Sequence, residues 1–148
     1  MYAPIPINET DRLQALHRYS ILDTPPEPAF DRLTALAVRH FHVPIAALTF
    51  LDSNRQWFKS CLGTPLRQTE RKHSFCSYTI LSNEIMVIPD ALRDPRFNDS
   101  PFVNGPAHIR SYAGVPLRTP SGYNLGSFCI IDIKPRRFSS AQKKLLED

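Results

Sequence analysis

Apolar positions fall first into two helical stretches and then into a series of strands. Asn8 can cap a helix over about residues 9–20, with Glu9 and Asp11 in the first turn, where acidic groups suit the positive end of the helix dipole. Leu13 and Leu16 give this helix one apolar stripe before Asp23-Thr24-Pro25-Pro26 stops it. Pro28 suits the first position of a second helix, along which Phe30, Leu33, Ala37 and Phe41 recur at helical spacing while Arg32 and Arg39 fall off the stripe. The period then changes. Ile45 to Leu51 is a continuous apolar run between Pro44 and Asp52, short enough for a strand covered on both faces. Asp52-Ser53-Asn54-Arg55 is turn chemistry, and Gln56 to Leu62 reads as the returning strand of a hairpin.

A polar stretch from Arg67 to His73 leads to a short helix from Ser74 to Leu81, capped by Ser74. Ile85 to Ile88 is a brief strand closed by Pro89-Asp90. Ala91 to His108 contains Pro95, Pro101 and Pro106 with no sustained period, so it is a long connection of the kind that usually carries function. Ile109–Leu117 and Tyr123–Ile131 are further strands, in which Gly114 and Gly126 mark bulges or close backbone contacts. Ser139 and Gln142 form a capping box for a last helix carrying Leu145 and Leu146, which the sequence leaves unfinished at Asp148. Five strands with two adjacent hairpins predict an antiparallel sheet and an α+β fold.

The 148 residues suffice for a single domain whose core needs no staple. Three cysteines are too few, and odd in number, for a disulfide scaffold, and no apolar run approaches the ~20 residues of a membrane span. A soluble cytoplasmic protein is expected. The net charge of +4 comes with no basic arm, so no nucleic-acid partner is expected. Fourteen prolines against five glycines are dispersed, and serve as punctuation between elements.

An ordered set of segments resembles the GAF domain family, in particular the N-terminal GAF domains of bacterial signalling proteins. It runs through Arg18-Tyr19-Ser20-Ile21-Leu22-Asp23-Thr24-Pro25, Phe30-Asp31-Arg32-Leu33, Arg55-Gln56-Trp57-Phe58-Lys59 and Ser74-Phe75-Cys76. It continues through Pro89-Asp90, Asp94-Pro95-Arg96-Phe97, His108 to Leu117 and Leu125 to Asp132. The resemblance implies a GAF/PAS-like sheet of five or six strands, with a core over about residues 27–133. It places helices on one face and a ligand pocket on the other, under the Phe75 helix and the long loop. It also implies dimerisation and a C-terminal output module, a histidine kinase or a diguanylate cyclase, driven through the terminal helices.

On that reading the ligand-binding candidates are Phe75, Cys76, Asp90, Arg93, Phe97, His108, Ile109, Arg110 and Tyr112, a mixture of apolar walls and orienting polar groups. Asp94 and Arg96, by contrast, read as braces within the loop, and Asp90 can also serve as a cap. The ligand itself is not specified. Bilin attachment is not expected, because Ser77 and not a histidine follows Cys76, and neither is a haem. His40-x-His42 lacks a third ligand, so no metal site is expected. The rival reading is catalytic: Cys76 and Cys61 fall near the cysteines of the free methionine-(R)-sulfoxide reductase branch, although the glycine-rich surround of that branch is absent. A domain without a ligand, kept for dimerisation, is the third reading. Trp57 and Phe58 adjoin on one strand and must face opposite ways, so one of them needs cover from a terminal helix or a second subunit.

Overall fold

The computed structural model describes residues 3–147, except for the side chains of Leu145 and Glu147. Its framework is one antiparallel sheet in the order β3-β2-β1-β6-β5-β4. The strands are β1 (Ile45–Leu51), β2 (Arg55–Leu62), β3 (Gln68–Glu70), β4 (Met86–Ile88), β5 (Ser111–Arg118) and β6 (Asn124–Asp132). The class is α+β, as expected, with a sixth strand that the polar run before Ser74 conceals. Gln68-Thr69-Glu70 is a short edge strand of polar residues only, so no apolar alternation betrays it. Strand β5 starts at Ser111 and not at Ile109, because the Ile109 N–H donates to the Phe102 carbonyl instead of joining the sheet.

Two apolar layers enclose the sheet. On one side α1 (Glu9–Arg18), α2 (Pro28–Phe41) and α5 (Ser140–Glu147) cover Ala46, Ala113, Leu125 and Ile130. On the other, α3 (Cys76–Thr79), α4 (Pro101–Asn104) and the segment around them cover Ala47, Leu51, Tyr112 and Cys129. Central β1 is therefore apolar on both faces, which is why its sequence reads as an unbroken run. Gly126 lies where β6 crosses closest to β1: a Cβ there would stand 1.8 Å from the Thr49 carbonyl oxygen.

The register of β1 against β2 slips at Leu48/Thr49, pairing Leu48 with Ser60 and Thr49 with Phe58, so Lys59 is an extra residue on the bulged strand. Lys59 is buried. Its Nζ donates to Thr24 Oγ1 at 2.7 Å and the Pro25 carbonyl at 2.8 Å, and lies 2.6 Å from Glu27, which secures the chain entering α2. Trp57 pairs with Phe50 and is covered within the chain, while Phe58 packs into the opposite layer. Neither aromatic needs a second subunit to cover it.

Two local expectations change. Along α2, Leu33 is exposed and Thr34 turns inward, because Thr34 Oγ1 meets Ser60 Oγ at 2.9 Å and Ser60 in turn donates to Asp31 at 2.7 Å. At α1, Asn8 holds the cap position but its side chain makes no capping bond. Glu9 anchors that helix instead. Its carboxylate takes Arg12 at 2.7 Å and Arg71 at 2.6 Å, and both guanidinium groups are almost wholly buried. The Ser139–Gln142 capping box forms as expected, with bonds of 2.9 and 3.1 Å.

Candidate functional site

Between the sheet and α3 lies a cavity of about 90 Å³. Ala47 and Thr49 of β1, Gln56, Phe58 and Cys61 of β2, and Cys129 of β6 supply its floor, and Phe75, Cys76, Phe102, Ile109 and Tyr112 supply walls and roof. The strand register explains why cysteines meet here: Cys61 and Cys129 both pair with Ala47, from opposite sides of β1. Helix α3 is shorter than the expected Ser74–Leu81 and Phe75 holds its cap position, but the Ser74 hydroxyl just before it accepts from the Ser77 N–H at 3.2 Å, and Cys76 faces down onto β6.

The polar groups in this cavity are mostly spoken for. Ser127 Oγ donates to Cys76 Sγ at 2.7 Å, Tyr112 Oη lies 3.3 Å from the same sulfur, and Thr79 Oγ1 lies 2.7 Å from Tyr112 Oη. Burial alone would raise the Cys76 thiol, but hydrogen bonds from Cys129, Ser127 and Tyr112 outweigh it and bring its pKa down to about 7. Cys129 is pushed well up by sharing its proton with Cys76 and by burial, and burial raises Cys61 to about 11. Tyr112→Phe removes one donor to the Cys76 sulfur. Its thiolate absorbance should then titrate about 1 pH unit higher, as expected for loss of a hydrogen bond to a charged group.

Gln56 is the exception. Its Nε2 donates to Thr69 Oγ1 at 3.0 Å, whereas Oε1 has no partner although the residue is only 7% exposed. A buried amide with one end unpaired is costly unless something else meets it. Sequence reading passed over Gln56; the available signal was its alternation with Phe58, which puts both side chains on the same face of β2.

Of the candidates read from the sequence, Phe75, Cys76, Ile109 and Tyr112 line the cavity. Phe97 stands one layer behind, its ring stacked 4.3 Å from that of Phe75. Asp90 and Arg93 lie elsewhere, in an open cleft with Pro135, Arg136 and Arg137, where Asp90 caps a single 3-10 turn by accepting from the Leu92 N–H at 3.1 Å. His108 is exposed with a left-handed φ of 53°, and Arg110 braces the loop by donating to the Val103 and Ile109 carbonyls at 2.8 and 2.9 Å. Asp94 is the brace anticipated for it, gripping Arg96 through Nε at 3.0 Å and a terminal nitrogen at 2.8 Å. Arg96 in turn lies over the Tyr78 and Phe97 rings, 5.5 and 5.2 Å from their centroids. Asp94→Ala should therefore loosen the loop, with faster amide hydrogen exchange at residues 94–98 and a stability loss of about 1–2 kcal/mol.

A profile of the GAF domain matches residues 25–148. The chain belongs to the GAF domain family. Among characterised relatives, a cyclic di-GMP phosphodiesterase of Pseudomonas aeruginosa is 43% identical over 133 residues, a match spanning 90% of this chain but 23% of that protein. That relative is neither of the output types expected from the resemblance. Solved GAF folds superpose at lower identity. The GAF domain of an Acinetobacter phosphoenolpyruvate-protein phosphotransferase gives a TM-score of 0.66 at 17% identity, covering 93% of this chain and 85% of that one. A type II free methionine-R-sulfoxide reductase from Thermoplasma acidophilum gives 0.66 at 17% identity, covering 88% and 86%.

Within this GAF domain the cavity is small, and among the described residues no Asp, Glu, Lys, Arg or His lines it. Nor do the described residues hold three or more His, Cys, Asp or Glu side chains placed to bind a metal ion. No helix among them is long and apolar enough to cross a membrane.

Proposed function

We infer that this GAF domain is a sensory module of a longer cytoplasmic signalling protein, in which a small uncharged molecule enters the cavity under α3 and regulates an output domain. The observation that carries this reading is a cavity free of Asp, Glu, Lys, Arg and His and lined by Gln56, a residue whose buried Oε1 has no partner. Such a group offers an acceptor for one donor on a ligand and adds orientation to apolar contact. At about 90 Å³ the cavity is smaller than the ~150 Å³ apolar cavity that admits benzene, so the ligand has only a few heavy atoms.

A route out of the cavity supports the regulatory role. The roof helix α3 hangs on the Arg71 carbonyl, which accepts from both Ser74 and Ser77 hydroxyls, and the Arg71 guanidinium grips Glu9 of α1 and the Asp52 carbonyl. A ligand that shifts α3 therefore pulls on a terminal helix, provided it binds the shifted and resting states with different affinity. The identity to the Pseudomonas enzyme supports an output in cyclic di-GMP breakdown over a kinase or a cyclase.

The reductase reading is weaker on physical grounds. Free methionine sulfoxide carries an ammonium and a carboxylate, and burying either without a charged or well-aligned partner is costly; this cavity offers no charged one. Ala47→Leu, which fills the floor, tests the sensory reading in the full-length protein. The protein should hydrolyse cyclic di-GMP, at a rate that the variant moves at least roughly threefold. Absence of hydrolysis, or an unchanged rate with the cavity filled, would contradict it.

A further inference from the structure

The three cysteines of this chain line a single cavity, and their environments differ sharply. We propose that the cavity is an oxidant site, where a small hydroperoxide held beside Gln56 oxidises Cys76 and Cys129 then closes the product to a disulfide. This assignment rests on the reading of the cavity as the ligand site and names the chemical class it takes.

Size, charge and hydrogen bonding converge on that class. A hydroperoxide is uncharged, so it suits a cavity whose wall has no Asp, Glu, Lys, Arg or His to pair with an ion, and hydrogen peroxide, with two heavy atoms, fits the roughly 90 Å³ available. Its O–H can donate to the Gln56 Oε1 that nothing else satisfies. The sulfur it must meet is Cys76, which lines the same cavity and is the one thiol of the three that its neighbours hold near neutral pKa. Cys61, raised by burial, stays protonated and inert.

The chemistry balances. The Cys76 thiolate attacks one peroxide oxygen; the S–O bond forms, the O–O bond breaks, and hydroxide leaves, taking a proton relayed from solvent through the neighbouring hydroxyls of Tyr112 or Ser127. Sulfur has given up two electrons and the peroxide has accepted them, leaving Cys76 as a sulfenic acid. Cys129, which lines the same cavity and packs in the same core cluster as Cys76, then attacks that sulfur; the S–S bond forms and the S–O bond breaks. The Cys129 proton joins the departing hydroxide as water. The disulfide fastens α3 to β6, so oxidation fixes the position of the cavity roof.

The test is a timed reaction with hydrogen peroxide, quenched by alkylation and read by intact and peptide mass spectrometry. Wild-type protein should take up two fewer alkyl groups than an untreated control alkylated after unfolding, and should yield a Cys76–Cys129 linked peptide. Cys129→Ala, or Cys129→Ser should that fold better, should stop at a dimedone-trappable sulfenic acid on Cys76. Cys76→Ala should leave Cys129 reduced, and Cys61→Ala should still yield the Cys76–Cys129 linked peptide. Cumene hydroperoxide, too bulky for the cavity, should react at least roughly tenfold more slowly with the folded protein than hydrogen peroxide does, a ratio lost on unfolding. Oxidation that begins at Cys61, or Cys76 remaining a thiol under excess peroxide, would overturn the proposal. A parallel titration with isopropanol, followed by amide resonances of Phe75 and Tyr112, separates the two layers. Shifts there with Cys76 still reduced would sink the oxidant site alone, and no shifts with Cys76 still reduced would sink the ligand site as well.

Discussion

Replacing Glu9 by Gln is expected to cost the domain about 3–5 kcal/mol, the usual penalty for removing one partner of a buried ion pair. One carboxylate serves two guanidinium groups, and Arg12 and Arg71 are 1% and 5% exposed, so the variant leaves two buried cations without their anion. For a domain of this length the thermal midpoint should fall by about 6–15 °C. The pH dependence identifies the cause. Partial burial works to raise the Glu9 pKa, but hydrogen bonds and charge from Arg71 and Arg12 prevail and lower it to about 2. A carboxylate depressed in the folded state stabilises fully above its unfolded value, near 4.3, and loses that contribution as pH falls towards 2. Melting curves of wild type and Glu9→Gln should therefore converge between about pH 5 and pH 2. A gap independent of pH would mean that packing, not charge, fastens α1.

Gly126→Ala should be nearly as damaging, at about 3 kcal/mol in urea denaturation, the upper end for overpacking. The new Cβ would stand 1.8 Å from the Thr49 oxygen and 2.7 Å from its carbon, both backbone atoms of the central strand, so β6 must move away from β1. Gly114→Ala is a useful contrast. Its Cβ would meet the Tyr112 hydroxyl at 2.2 Å, a side-chain atom, so the ring can yield, with the loss of its contacts to Cys76 and Thr79. Stability should fall less, while the Cys76 thiolate should titrate higher, as in Tyr112→Phe.

Elements built by local rules could be read from the residues, and those built by tertiary partners could not. The run of β1, the Pro28 start of α2, the Ser74 hydroxyl at the entry to α3 and the Ser139–Gln142 box each announce themselves over a few positions. Thr34 could not, because its inward place on α2 depends on a hydroxyl contributed by the bulged strand β2. Edge strand β3 carries no apolar alternation to detect. The site divides in the same way. Phe75, Cys76, Ile109 and Tyr112 were legible from the resemblance and their apolar character, and they do meet. Asp90 and Arg93 looked equally suitable, yet the turn after β4 carries them into a different cleft. Gln56 was missed because its meaning is an unpaired atom, which no spacing reveals.

The cavity proposed as the ligand site is sized for a small neutral molecule and not for a nucleotide. Nitrogen–proton correlation spectra, recorded while isopropanol and cyclic di-GMP are titrated separately, test it most directly. Saturable shifts are expected with isopropanol at Gln56, Phe75, Cys76, Ile109 and Tyr112, abolished by Ala47→Leu, and none at those positions with cyclic di-GMP. Saturable binding of cyclic di-GMP in the cavity, or isopropanol shifts confined to the surface, would contradict it.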